Sequence, residues 1–211
     1  MASAPMEQRS PDWFATRCGK VTASRIGDLM AKTKTGWGAS RANYAAQLVA
    51  ERLTQSVEPG FTNAAMLHGI EQEANARACY EFDRGVTVQE IAFIDHPKIP
   101  MSGASPDGII GLDGMTEIKC PGTAKHINTL TGAAIDGGYI KQMQWQMACA
   151  GRQWCDFVSY DPRLPVEMQL HVRRVERDDE FIAEMEAAVR EFLAEVDATV
   201  LTLTGLYQKA A

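Results

Sequence analysis

A mixed α/β fold, α+β-like with a central mixed β-sheet flanked by helices, is predicted by three features of the 211-residue sequence. The hydrophobic period changes from helical to alternating after Gly85. Two short strand-like runs, SPDGII and MTEIKC, enclose the turn sequence GLDG. A long helical stripe follows the last strand. The order is therefore helices, strands, a crossing helix, strands and a helix, which puts helices on the faces of a sheet. The helices that open the chain argue against a doubly wound parallel sheet.

The elements follow in order. TASRIGDLMA (Thr22–Ala31) reads as a short helix with Thr22 as N-cap. Lys32–Ser40 has the Gly, Thr and Ser content of a loop. Ser40–Gln55 is a helix with Tyr44, Leu48, Val49 and Leu53 on its apolar face. A further helix runs from Asn63, a good cap, to about Phe82, and Arg84-Gly85 stops it. VTVQEIAFI (Val86–Ile94) is β-branched and aromatic, as strands are. Tyr139–Gly151 is a helix ending on glycine. WCDFVSY and VEMQLHVRRV are strands joined by DPRLP. Asp178 to about Leu203 is a helix with Ile182, Met185, Val189, Phe192 and Val196 in register for core packing. One domain is expected, its core at about residues 13–175 and its last helix at about 178–203.

Composition narrows the function classes. Hydrophobic residues make up 45% and charged residues 23%, as in ordinary globular proteins. No apolar run approaches the roughly 20 residues of a membrane span, so no membrane partner is expected. MASAPMEQRSPDW lacks the apolar core of a signal peptide, which predicts a cytoplasmic protein. The five cysteines are scattered, with no C-x-x-C pair, so neither a disulfide framework nor a zinc site is implied. The net charge of -6 requires any nucleic-acid site to be a local basic feature.

ASPDGIIGLDGMTEIKCPG (Ala104–Gly122) carries the chemistry. Side chains alternate along a strand, so Glu117 and Lys119 share a face and Ile118 opposes them. Closing the hairpin at GLDG puts Asp107 across from Glu117 or Ile118. Two converging carboxylates call for a cation between them. All-oxygen ligands suit a hard divalent ion such as Mg²⁺. Lys119 beside them can activate a water or stabilise phosphoryl charge, which is the equipment of metal-assisted phosphodiester hydrolysis. A D-x(n)-E-x-K match alone is more often a solvated strand face. The flanking S-P-D-G and E-I-K-C-P-G make it more specific.

Four further segments accompany the hairpin in order: WFATRCGKVTAS (Trp13–Ser24), HGIEQEANA (His68–Ala76), YIKQMQW (Tyr139–Trp145) and SYDPR (Ser159–Arg163). Together they resemble the lambda-exonuclease and YqaJ-type viral recombinase branch of the PD-(D/E)xK nuclease superfamily. The resemblance covers most of the chain and implies a restriction-endonuclease-like core. It implies a metal site of Asp107, Glu117, the Ile118 carbonyl and Glu73, with Glu71 and His68 as competitors for the last place. Catalytic roles fall to Asp107, Glu117, Lys119 and a glutamine of the crossing helix. Gln142 and Gln144 lie two residues apart and cannot share a face; Gln144 is the better match.

The same resemblance implies a 5′-phosphate pocket of Arg17, Ser24, Ser105 and Lys125, with Lys125 where an arginine is usual. Lys34 and Met66 are implied as DNA contacts near the fork, Met66 as a wedge. The implied activity is a Mg²⁺-dependent 5′-to-3′ exonuclease on linear double-stranded DNA, with Mn²⁺ substituting. It would release 5′-mononucleotides and leave 3′ single strands for annealing recombination. The implied assembly is a homotrimeric ring around DNA ends, with a phage-type single-strand annealing protein as partner. A PD-(D/E)xK endonuclease and a non-catalytic DNA-binding module are the alternatives. Cutting of closed circular DNA marks the first, and binding without cleavage the second.

Overall fold

The computed structural model describes residues 6–34, 36–57 and 63–207, so part of the N-terminal stretch read above for a signal peptide lies outside it. The elements are α1 (Pro11–Arg17), β1 (Val21–Thr22), α2 (Ile26–Leu29), β2 (Lys32–Thr33), β3 (Gly36–Trp37), α3 (Ala39–Thr54) and α4 (Ala64–Arg84). There follow β4 (Ile94–Asp95), β5 (Ser102–Ala104), β6 (Gly108–Ile110), β7 (Gly114–Lys119), α5 (Thr123–Leu130) and α6 (Gly137–Ala150). The chain continues through β8 (Trp154–Tyr160), α7 (Val166–Gln169), β9 (Leu170–Glu176) and α8 (Asp179–Tyr207).

The predicted mixed α/β class holds. A four-stranded sheet runs β6-β7-β8-β9. The β6/β7 and β8/β9 pairs are antiparallel and β7/β8 is parallel, so the sheet is mixed. A smaller sheet, β1-β5-β4, lies beside it.

Three hydrophobic clusters set the layers. Ala76 and Tyr80 of α4 pack on Ile110, Ile118, Val158 and Tyr160, on one face of the main sheet. Met143 and Met147 of α6 pack on Met115, Cys155 and Phe157, on the other. The far side of α6, through Trp145, Ala148 and Cys149, meets a third cluster built from α2, α3 and α8. The α8 stripe read from the sequence, Ile182 through Val196, is buried there. The strand alternation read for β7 is observed: 115 faces α6 and 118 faces α4.

Several expected boundaries are corrected. Thr22 belongs to β1 and makes no side-chain cap; a 3₁₀ turn over Ala23–Arg25 precedes the short α2. Val86–Ile94 is not a strand: one bridge, Gln89 to Ile109, precedes β4. The Ile91 carbonyl accepts from the Gln8 amide and the Ala92 carbonyl from the Trp13 indole, so side chains take the place of a neighbouring strand. Val166–Gln169, read as strand, forms a helical turn after Pro165. The hairpin turns over residues 111–113, Gly111 taking φ +54°, while Gly114 pairs with Ile110. Asn63, Gly85 and Gly151 cap their helices as expected.

Candidate active site

The β6/β7 register determines the site. Gly108 lies opposite Thr116, so Asp107, one residue before β6, falls level with the end of β7. Its Oδ2 accepts the Ile118 N–H at 2.7 Å. In an extended strand a residue's N–H and C=O point to the same edge. The Ile118 carbonyl therefore points to the Asp107 side as well, where β6 has no further residue to pair with it.

Glu117 is buried, and three cationic or amide donors hold it. Lys119 Nζ lies 2.5 Å from its Oε1. The Gln142 amide donates to the same oxygen and the Gln146 amide to Oε2, both at 2.7 Å. Gln142 and Gln146 are one turn apart and share the sheet-facing side of α6. This corrects the expectation for Gln144. Its side chain leaves the opposite side of α6, donates to the Glu176 carbonyl and accepts the Asp178 N–H, so it ties β9 to α8. Gln146 carried no local signal of its role, because Met143–Cys149 is buried all round and shows no amphipathic stripe.

Electrostatics follow from this crowding. Burial, then the charge of Glu117, holds Asp107 well above the usual carboxylate range. Burial alone would lower Lys119, but Glu117 and Asp107 outweigh it and raise its pKa, which keeps the ammonium charged. Cys120, next along the chain, is pushed up to about 12 by burial and by Glu73. Its thiol is no nucleophile at neutral pH.

A cleft of about 510 Å³ opens over these groups, walled by Met66, Ile70, Glu73, Lys119, Tyr139 and Gln142 among others. Glu73 faces it; Glu71 is exposed outside it, and His68 does not line it. Glu73 is engaged by Arg9 at 2.9 Å and Arg77 at 3.6 Å. Among the described residues no three acidic, histidine or cysteine side chains gather as a metal cage, although Glu73 lines the same cleft as Asp107 and its charge helps raise the pKa of Asp107. Two carboxylates and the Ile118 carbonyl nevertheless fit a hard divalent ion that retains several waters. The disfavoured charge on Asp107 is what such an ion would relieve.

The residues expected around DNA are partly gathered. Arg17 stacks on the Trp13 ring at 3.8 Å and donates to Ser105 Oγ at 3.3 Å. Ser24 lines the same small cleft as Arg17. Lys125 does not line that cleft: it lies on α5, its Nζ 3.2 Å from the Tyr139 hydroxyl. Met66 is half exposed at the mouth of the main cleft. Lys34 sits at the exposed β2–β3 turn and lines neither cleft. The sequence reading gave no role to Arg9, Tyr139 or Gln146; Arg9 and Gln146 lie outside the matched segments, and Tyr139 only opens one of them.

Comparison with known proteins decides the family. The model of the YqaJ-like viral recombinase domain matches residues 12–153. The chain belongs to that family. An alkaline exonuclease from Laribacter hongkongensis is 52% identical, with 96% of this chain and 100% of that one covered and a TM-score of 0.89. The same enzyme has a crystal structure in complex with dAMP, at the same identity and TM-score. A phage-related exonuclease from Haemophilus somnus 129PT is 15% identical over 87% of this chain and 96% of that one, with a TM-score of 0.68; it shares the fold. Among curated proteins no match is found. Among the described residues no helix is long and apolar enough to cross a membrane.

Proposed function

We propose that this YqaJ-family protein is a DNA exonuclease, and more narrowly a metal-dependent one that digests linear double-stranded DNA from the 5′ end. The observation that carries the reading is the convergence of Asp107, Glu117 and Lys119 at the β6–β7 end. The alkaline exonuclease activity named for a 52%-identical relative supports it, as does the dAMP complex of that relative.

Asp107, Glu117 and the Ile118 carbonyl would hold Mg²⁺, or Mn²⁺ in its place. Such an ion, when bound, supplies Lewis-acid polarisation of the scissile phosphate. The chain's own groups do the rest. Gln142 and Gln146 hold the Glu117 carboxylate in place, one through each oxygen. Lys119, held as an ammonium by Glu117, offsets the negative charge that develops on the phosphoryl oxygens. Tyr139 and Met66 wall the cleft against the nucleobases. Arg17, Ser24 and Ser105 would hold the 5′-terminal phosphate, with Lys125 contributing only from across Tyr139. Lys34, on its turn, would meet DNA away from the reacting centre.

The resulting 3′ single strands would pass to an annealing protein for recombination. A homotrimeric ring around the duplex and a cytoplasmic location complete the proposal. The test is digestion of duplex DNA labelled separately at each terminus, in Mg²⁺ or EDTA, with Lys119→Ala alongside. Release of 5′ label first, lost in EDTA and in the variant, is expected. No cleavage by the wild-type protein in any divalent metal overturns it.

A further inference from the structure

The N-terminal approach to α1 lies against the active cleft. Gln8 anchors it, its amide donating to the carbonyls of Ile91 and Pro106, both at 2.9 Å. Pro106 immediately precedes Asp107, so the anchor is one residue from the reacting centre. Ser10 caps α1 by accepting the Trp13 N–H. Between these two fixed points Arg9 takes φ +69°, a left-handed conformation that costs energy for a side chain other than glycine. A strained backbone held between two anchors aims the side chain: the Arg9 guanidinium meets Glu73 at 2.9 Å.

Two clefts meet at this point. The main cleft of about 510 Å³ and a second of about 480 Å³ share Arg9, Ile70, Glu73 and Asp107. A strand that runs through both passes Arg9. The cations there are not equivalent. Lys119 is committed to Glu117, and Arg77 is nearly buried between Glu73 and Glu90. Arg9 is 45% exposed, and its one hydrogen bond among the described residues, to Glu73, leaves most of its five N–H donors for another partner. An arginine fork with spare donors at an anionic polymer's path matches a phosphodiester, which it can grip in two places.

We infer that Arg9 is a positioning residue that grips a backbone phosphate next to the scissile one on the strand being cut. Glu73 orients the guanidinium from behind, which gives that acid a role independent of metal ligation. The inference deepens the nuclease reading and rests on it for the identity of the polymer.

The experiment measures binding and cleavage separately. Binding of a fluorescent duplex to the whole protein is followed by anisotropy in EDTA across a series of salt concentrations, for the wild type, Arg9→Ala and Arg9→Lys. Loss of one phosphate contact predicts that the slope of log K against log salt falls by about 0.9 in Arg9→Ala, and less in Arg9→Lys. Digestion in Mg²⁺ should show a KM raised about tenfold or more in Arg9→Ala, with kcat changed less and Arg9→Lys between the two. A purely structural strap would lower thermal stability and kcat while leaving the salt slope where it was; that result overturns the inference. A wild type that binds duplex but never cleaves it counts against the nuclease reading, while the salt slope still decides for or against Arg9.

Discussion

The main-chain N–H of Ile118 donates to Asp107 Oδ2 at 2.7 Å. This one bond joins the residue before β6 to the end of β7, and it survives only in the observed register. A slip of one residue would turn Glu117 and Lys119 onto the α4 face, among Ala76, Tyr80 and Ile110. The catalytic geometry is thus a property of strand pairing before it is a property of the charged side chains.

Asp107→Asn separates chemistry from stability. Cleavage should fall by at least about a hundredfold, since groups that merely orient metal ligands are worth about 10- to 100-fold. Stability should move the other way. An acid whose folded pKa is raised binds its proton more tightly in the native state than in the unfolded chain. Stability in EDTA then falls as pH rises from the ordinary carboxylate value, near 4, through the raised one. The Asn variant lacks that decline. Melting temperatures from pH 4 to 8, for both proteins in EDTA, check the sign; a decline of equal size in the variant would count against it.

The glutamines of α6 give a three-way comparison. Gln142→Ala and Gln146→Ala each remove a bond to Glu117, and hydrogen bonds to charged groups contribute about 1.5–3 kcal/mol. Both variants should lose kcat, Gln146→Ala losing stability as well because its amide is buried. Gln144→Ala should lower the melting temperature through its lost bonds to Glu176 and Asp178, with kcat near the wild-type value. Steady-state digestion and thermal melting on the same preparations make the comparison. A catalytic defect confined to Gln144→Ala would reverse the assignment.

How much of this was legible in the sequence depends on the range of the interaction. Asp107, Glu117 and Lys119 were readable because a tight hairpin and period-two alternation are local rules. Choosing between Gln142, Gln144 and Gln146 was not, because α6 is covered on both sides and only the placement of α8 shows which side meets the sheet. Val86–Ile94 has strand composition, but its carbonyls bind Gln8 and Trp13, about 80 residues earlier. Arg9 shows the same limit: its aim comes from a left-handed backbone no composition rule anticipates.

Gly114 tests the register directly. A Cβ there would lie 2.1 Å from the Trp154 ring, which packs over the start of β7. Gly114→Ala should cost about 1–3 kcal/mol, as overpacking of a filled interior does. The midpoint of urea unfolding measures that loss. Activity should fall with it, because displacing Gly114 disturbs the pairing that carries Asp107 to Ile118. An unchanged midpoint would mean the indole moves aside freely.

Arg17 carries the last prediction. Its guanidinium is pressed on Trp13 and bonded to Ser105, and burial lowers its pKa to about 10. A partly desolvated cation of this kind gains from a further anion, and a terminal phosphate supplies two charges and a bidentate partner. The wild-type protein should therefore digest 5′-phosphorylated duplex faster than the same duplex with a 5′-hydroxyl. Arg17→Ala should bring that ratio close to one by slowing the phosphorylated substrate, leaving the hydroxyl end nearly as it was. Arg17→Lys should keep part of the preference, since a point charge attracts the phosphate without the fork. Initial rates on the two ends, measured side by side for the three proteins, give the ratio. A preference that persists in Arg17→Ala would place the phosphate elsewhere, with Lys125 beside Tyr139 the next position to test.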